Sequence, residues 1–256
     1  MKNSEPDFPK NSNDEEKPII SPKELVCSFT RRNPFHLQLK KRAIITFDRG
    51  TIEFLKKKTK ANLNRFWYPY RKIYEVPERD TVFTRSYPSG TNISILIEEL
   101  AQFGVKEIIV FGFCGSIVDD FSIGDTIMAK CALGDGDFTS ESFSENEHLI
   151  YSNWFMEWQE KTEKMRIIPA CVWSTDELYR ETKKKIRHFL MRGAYAVDME
   201  TYRFYKTCTE LKLKGIAFLL VSDELKEDRW IFGFHSENFK KGIIRMLDFL
   251  LQECVL

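Results

Sequence analysis

The sequence predicts an α/β fold, a three-layer α/β/α sandwich with helices on both faces of one central sheet. Short β-branched or apolar runs alternate with segments whose apolar residues recur at helical spacing. Residues 107–112 (EIIVFG) form a near-continuous apolar run, the pattern of a strand buried on both faces. The chain has 256 residues, 43% hydrophobic and 30% charged, the balance of one large globular domain with a full core.

The elements follow in order. Residues 1–22 are rich in Asn, Ser, Pro, Lys and Glu and read as a disordered or loosely docked tail before a single domain over 23–256. Residues 42–47 (RAIITF) predict a strand and 50–58 a helix. Residues 81–85 predict a second strand. Residues 92–103 (NISILIEELAQF) predict a helix stopped by Gly104. After the buried run come strands over 125–131 and 167–173 and a basic helix over 182–191. A helix over 200–213 feeds a strand over 216–221, and an amphipathic helix over 236–252 closes the chain. In such a sheet a ligand is expected at the C-terminal ends of the strands. The aromatic stretch 66–70 (FWYPY) suits either a core cluster or a subunit contact.

Charge and composition narrow the function. Thirty-nine basic and 38 acidic residues leave a formal charge of +1, so no net field favours nucleic acid or a membrane surface. No apolar run has a membrane-spanning length, and the polar N-terminus lacks a signal-peptide core, so a cytoplasmic location is expected. The six cysteines are scattered without a CxxC pair and read as buried thiols. The four histidines form no HExxH pair, and no metal is expected. Residues 134–137 (GDGD) lack the ligand order of a calcium loop and read as a turn. The basic run 183–187 reads as a solvated helix face.

Three places could carry chemistry. Residues 111–117 (FGFCGSI) follow the buried strand, and their two glycines suit a tight turn that lets backbone approach a ligand. Residues 196–200 (AVDME) set Asp198 and Glu200 at alternate positions. These share one face of a strand, or cap a helix that begins there. Residues 221–225 (VSDEL) set Ser222 and Asp223 just past an apolar strand, where a carboxyl loses solvent and holds its proton more readily.

These landmarks, in this order, resemble the nucleoside phosphorylase family, the purine nucleoside and uridine phosphorylase superfamily that includes the methylthioadenosine nucleosidases. The likeness spans roughly residues 40–250. Residues 92–104 with 107–125 resemble the family's helix, strand and glycine turn. Residues 136–140 (GDFTS) look like a degraded D/E-G-T-S segment, and 172–181 (VWSTDELYRE) resemble a uridine phosphorylase-like pattern. VDME over 197–200, followed by VSD over 221–223, resembles the V-E-M-E…V/I-S-D signature.

The resemblance implies the phosphorylase/hydrolase-like sandwich with a mixed sheet. It implies an enzyme that splits nucleosides with phosphate into free base and ribose-1-phosphate. Asp223 would be catalytic, supplying a proton or hydrogen bond to the departing base. Glu200 would hold the ribose hydroxyls and Met199 would pack on the sugar. Leu178 and Tyr179 would wall the base. Asp198, Gly112, Phe113 and Ser222 would complete the substrate contacts. The chemistry is coherent, because the bond breaks through an oxocarbenium-like sugar while charge builds on the base. No cofactor is implied beyond phosphate as co-substrate, and a homo-oligomer is expected, a dimer or a hexamer built as a trimer of dimers.

The sequence departs from the family at the phosphate site. Val110 stands where phosphorylases carry an Arg, and Phe113 where they carry a Ser or Thr. Arg49 and Arg85 are the replacement candidates, with Arg71 behind them. The hydrolase branch's water-activating Glu falls at Thr51, with Glu53 nearby. The uracil-reading Gln and Arg fall near Thr182 and Lys184, and His235 falls near a helper Arg of purine-specific members. Hydrolysis and a weakened nucleoside-binding module are therefore the rival readings.

Overall fold

The computed structural model describes residues 18–135, 149–163, 165, 167–226 and 229–254. Most of the expected tail and all of 136–140 lie outside these residues. Regular structure starts one residue inside the expected tail. In α1 (Pro22–Thr30), Ser21 and Glu24 form a reciprocal capping box and Pro22 opens the helix.

The sheet is mixed and covered by helices on both faces, as the alternation predicts. Its parallel heart is β1 (Arg42–Thr46), β4 (Thr81–Arg85), β5 (Glu107–Ser116) and β10 (Lys214–Leu225). β2 (Asn62–Leu63) and β3 (Ile73–Glu75) extend it antiparallel beyond β4.

On the other side β10 pairs antiparallel with β6 (Thr126–Gly134), and β6 runs parallel to β8 (Ile167–Ser174). β8 pairs with β9 (Ala194–Asp198), and β9 returns antiparallel to the end of β5. β5, β10, β6, β8 and β9 therefore close a ring of paired strands. The sequence did not predict this closure, because it depends on the Gly115–Val197 and Ser116–Ala196 pairings between distant segments. β7 (Leu149–Tyr151) flanks β6, and β11 (Trp230–Phe232) flanks the end of β10.

Strand alternation sorts the core into two layers. Ala217, Leu219 and Val221 of β10 pack with α1, α3 (Gly90–Gln102) and α6 (Thr201–Glu210). Ile216, Phe218 and Leu220 pack with α2 (Arg49–Thr59), α4 (Phe155–Thr162) and α7 (Glu237–Cys254). α5 (Lys183–Met191) lays Phe189 against Trp173 in a smaller cluster.

Several expectations need correction. β5 continues through Ser116, so Gly112 and Gly115 lie inside a strand and the turn expected over 111–117 is absent. Likewise β10 runs to Leu225, so Ser222 and Asp223 are strand residues. α6 ends sooner than expected, with Lys212 in the left-handed region just beyond it.

Cys131 and Cys171 are paired as a disulfide across β6 and β8, with 4.6 Å between Cα atoms, so the all-thiol reading fails there. Lys185, within the run read as solvated, is buried and bonded to Asp135 at 2.8 Å and Glu177 at 3.2 Å. In the aromatic stretch, Trp67 is buried and donates to Leu37 O, whereas Phe66 and Tyr68 are exposed.

Candidate active site

The site begins with an irregularity in β10. Val221 is paired with Cys114 of β5, but Gly115 is paired with Asp223, so Ser222 is the extra residue of a bulge. Position 223 would otherwise share the face of Ala217, Leu219 and Val221. The bulge instead brings Asp223 beside Gly115, where a Cβ on the glycine would stand 3.2 Å from Asp223 Oδ2.

Both Asp223 oxygens are engaged. The Ser222 hydroxyl donates to Oδ1 at 2.7 Å, and the Trp230 indole Nε1–H donates to Oδ2 at 2.8 Å.

The second acidic segment sits where β9 meets α6. Asp198 is buried, and although Glu200 is the N-cap residue of α6, it is the Asp198 side chain that takes the first helix amide. It accepts from Ser174 Oγ at 2.5 Å, from the Thr201 amide at 3.0 Å, and from the Thr201 hydroxyl. Burial nonetheless raises its carboxyl to about 6, against these hydrogen bonds.

Glu200 is buried as well. Burial, and then the charge of Asp198, push its carboxyl well above the usual range, while backbone N–H groups of Met199 and Ser89 favour its charged form. Ser89 adopts φ 152°, an uncommon value for a residue with a side chain, at the N-cap of α3. Of the two uses open to the acids, capping falls to Asp198, and Glu200 is left for other contacts.

A cavity of about 590 Å³ joins the two segments. Asp198, Met199 and Glu200 line one part and Ser222 and Asp223 another, with Leu178, Tyr179 and Phe113 among the walls. Tyr179 lines the cavity but is 98% exposed, which places it at the mouth. Gly112 is not a lining residue, because the Phe47 ring lies about 3.1 Å from where its Cβ would be.

Sequence reasoning missed several side chains that line this space, among them Phe47, Glu181, Trp230 and Phe234. The aromatic run 230–234 (WIFGF) was the available signal for two of them. Cys114 also lines the cavity, but burial, with Asp198 and Asp223 nearby, pushes its thiol up and keeps it protonated.

The phosphate candidates lie elsewhere. Neither Arg49 nor Arg85 lines the cavity, and both are exposed, with Arg85 over the Tyr87 ring. Arg71 is bound to the buried Glu99, which also accepts from Tyr70 Oη at 2.6 Å. Val110 is core, and Phe113 packs against Phe111, Phe234 and Phe239. The first amide of α3 is taken by a carboxylate of the chain itself, Asp176, at 2.8 Å.

Among the described lining residues there are four carboxyl groups and no Lys, Arg or His. The remaining candidates are also remote. Glu53 is exposed and paired with Lys56 at 2.9 Å, and Thr182 caps α5. Lys184 and His235 are outside the lining, and the His235 ring packs on Phe232. Among the described residues no cluster of three or more His, Cys, Asp or Glu side chains could hold a metal ion. None of their helices is long and apolar enough to cross a membrane.

Comparison with known proteins bears on this architecture. A purine nucleoside phosphorylase, DeoD-type, of Buchnera aphidicola is 24% identical over 153 residues, covering 58% of this chain and 65% of the relative. The match thus spans just under two thirds of that protein. A Bacillus cereus protein of the same name is 30% identical over 139 residues, covering 52% of this chain and 59% of the relative.

Among solved structures, purine nucleoside phosphorylase of Toxoplasma gondii superposes with a TM-score of 0.70 at 17% identity, over 88% of this chain and 93% of that one. The 5′-methylthioadenosine/S-adenosyl homocysteine nucleosidase of Campylobacter jejuni gives 0.66 at 20% identity, over 84% and 98%. Both share the fold. The sequence profile of the phosphorylase superfamily matches residues 41–252, nearly the whole sheet and its helices, and the chain belongs to that superfamily.

Proposed function

We propose that the protein cleaves the N-glycosidic bond of a nucleoside and passes the sugar to water. The observation that carries this reading is the cavity shared by Glu200 and Asp223, lined among the described residues by no cation. Glu200 engages the ribose hydroxyls and Asp223 the base. As the bond lengthens, positive charge spreads over the sugar and negative charge over the base. Asp223 in its protonated form relieves the second by giving the base a proton or hydrogen bond, is held in place by Ser222 and Trp230, and regains its proton from the water that adds to the sugar. The carboxyl-rich wall favours the oxocarbenium-like sugar.

Water is preferred over phosphate on electrostatic grounds. A phosphate dianion needs cationic or N–H partners in a site of low dielectric. Here the expected cationic position is Val110, Phe113 fills the next, and Asp176 occupies the α3 amide. This reverses the order of the two acceptors expected from the sequence.

Phosphorolysis remains the second reading, because the curated relatives are named as phosphorylases. It requires cations from outside the described lining, such as a second subunit.

The test is a nucleoside panel assayed for base release with and without phosphate. The proposal expects free base and free ribose at the same rate in both. Ribose-1-phosphate formed only with phosphate would establish phosphorolysis instead. Binding without base release in either condition would leave a nucleoside-binding module.

A further inference from the structure

Resting on that reading, we infer that Glu181 is a specificity residue, whose carboxylate accepts a hydrogen bond from an exocyclic amine or ring N–H of the bound base. Glu181 lines the cavity directly after Leu178 and Tyr179, on the wall assigned to the base. Unlike the other cavity acids it is unengaged. Asp223 is bonded to Ser222 and Trp230, Asp198 to Ser174 and Thr201, and Glu200 to backbone N–H groups. Among the described residues no hydrogen bond or ion pair reaches the Glu181 carboxyl; only burial and more distant charges act on it.

A half-buried carboxyl facing a cavity without a partner is costly unless a ligand satisfies it. A carboxylate only accepts, so the complementary ligand edge is a donor. A site built this way discriminates strongly against an analogue lacking the donor, because the carboxyl is then left unpaired. The predicted class is therefore a nucleoside whose base carries an amine or N–H on the edge turned to this wall, as an aminopurine does.

The surroundings give this contact a pH signature. Burial, then the charge of Asp223 on β10, raise the Glu181 carboxyl to about 7; Lys185 on α5 lowers it and Asp135 beyond β6 raises it. The acceptor form thus gains population as pH rises through about 7, and affinity for a donor-bearing base rises with it.

The test is calorimetric binding of two uncleavable C-nucleosides, an adenosine analogue with its exocyclic amine and the same compound without it. Wild type should prefer the first by about ten- to hundredfold, the worth of one hydrogen bond to a charged group. That preference should grow with pH. Glu181→Leu should abolish it. Glu181→Gln should keep part of it, through the amide oxygen, but lose the pH dependence. If Glu181→Leu does not fold, the pH profile of Glu181→Gln decides.

An amine preference that survives in Glu181→Leu, or a pH dependence that survives in Glu181→Gln, overturns the inference. The base-release assay is read separately. Base release with an unaltered amine preference in Glu181→Leu sinks this inference alone. A Glu181-dependent preference without base release sinks only the cleavage reading.

Discussion

The Trp230 indole donates its N–H to Asp223 Oδ2 at 2.8 Å, from a strand that pairs with the end of β10. The Ser222 hydroxyl holds the other oxygen, so the carboxyl plane is fixed from two sides. Trp230 is 63% exposed, so its contribution is orientation more than core packing. Trp230→Phe should lower kcat/KM by about ten- to hundredfold, the worth of one hydrogen bond to a charged group, with the thermal midpoint nearly unchanged. Asp223→Asn should lower turnover by about 10²–10⁴-fold. Steady-state base release measures both, and an unchanged rate in Asp223→Asn removes that residue from the mechanism.

The glycine beside that carboxyl gives a steric test. A Cβ at Gly115 would stand 2.4 Å from Leu225 Cδ1 and 3.2 Å from Asp223 Oδ2. Gly115→Ala should therefore displace the acid and reduce turnover by up to about 10²-fold, the scale of an ångström-level misplacement. Base-release kinetics with a circular dichroism control separate this from unfolding.

Glu200 makes stability depend on pH. Its buried carboxyl binds a proton well above the ordinary value of 4.5, which the unfolded chain approaches. Above that value the native state binds more protons than the unfolded state. The associated stability is complete below about 4.5 and is lost as pH rises toward the native value. Asp198 acts with the same sign between 3.8 and about 6. The urea midpoint of wild type should thus fall relative to Glu200→Gln as the pH is raised from about 5 to about 8. Parallel curves for the two proteins would contradict this.

Arg71 has a structural use. Its guanidinium meets Glu99, whose side chain is 1% exposed. Arg71→Ala would leave that acid buried without its cation, which costs about 3–5 kcal/mol. Denaturant unfolding measures it, and the loss should be larger than any change in KM of the folded fraction.

Arg49 and Arg85 supply the contrasting case. Both are exposed and outside the cavity lining. Arg49→Ala and Arg85→Ala should each alter kcat/KM by no more than about twofold, the usual scale of a surface substitution. A large rise in KM for phosphate in either variant would instead favour the phosphorylase reading.

Much of the scaffold was legible because local patterning and burial agreed. The strand over 81–85 matches the sequence reading through its β-branched and aromatic residues, and the start of β5 at Glu107 because a near-continuous apolar run admits few alternatives. α4 was not legible, because its eight residues mix aromatic and charged side chains without a long apolar stripe. Glu200 and Asp223 could be singled out by type and order. The aromatic run 230–234 hinted at Trp230, but its relation to Asp223, like that of Glu181, arises only after β11 folds back on β10 and the short turn at Leu178–Arg180 brings Glu181 to the cavity. The cysteine pair was hidden for the same reason, as 40 positions separate partners that only sheet register brings together.

The slip at Ser222 makes the chemistry depend on residue count as much as on residue identity. Because successive strand positions point to opposite sides, inserting one amino acid between Ser222 and Asp223 with the bulge kept would turn the acid toward the wrong layer without removing a single functional side chain. Such an insertion should thus lower base release as loss of the carboxylate does, so the spacing at this point is itself a testable part of the proposed site.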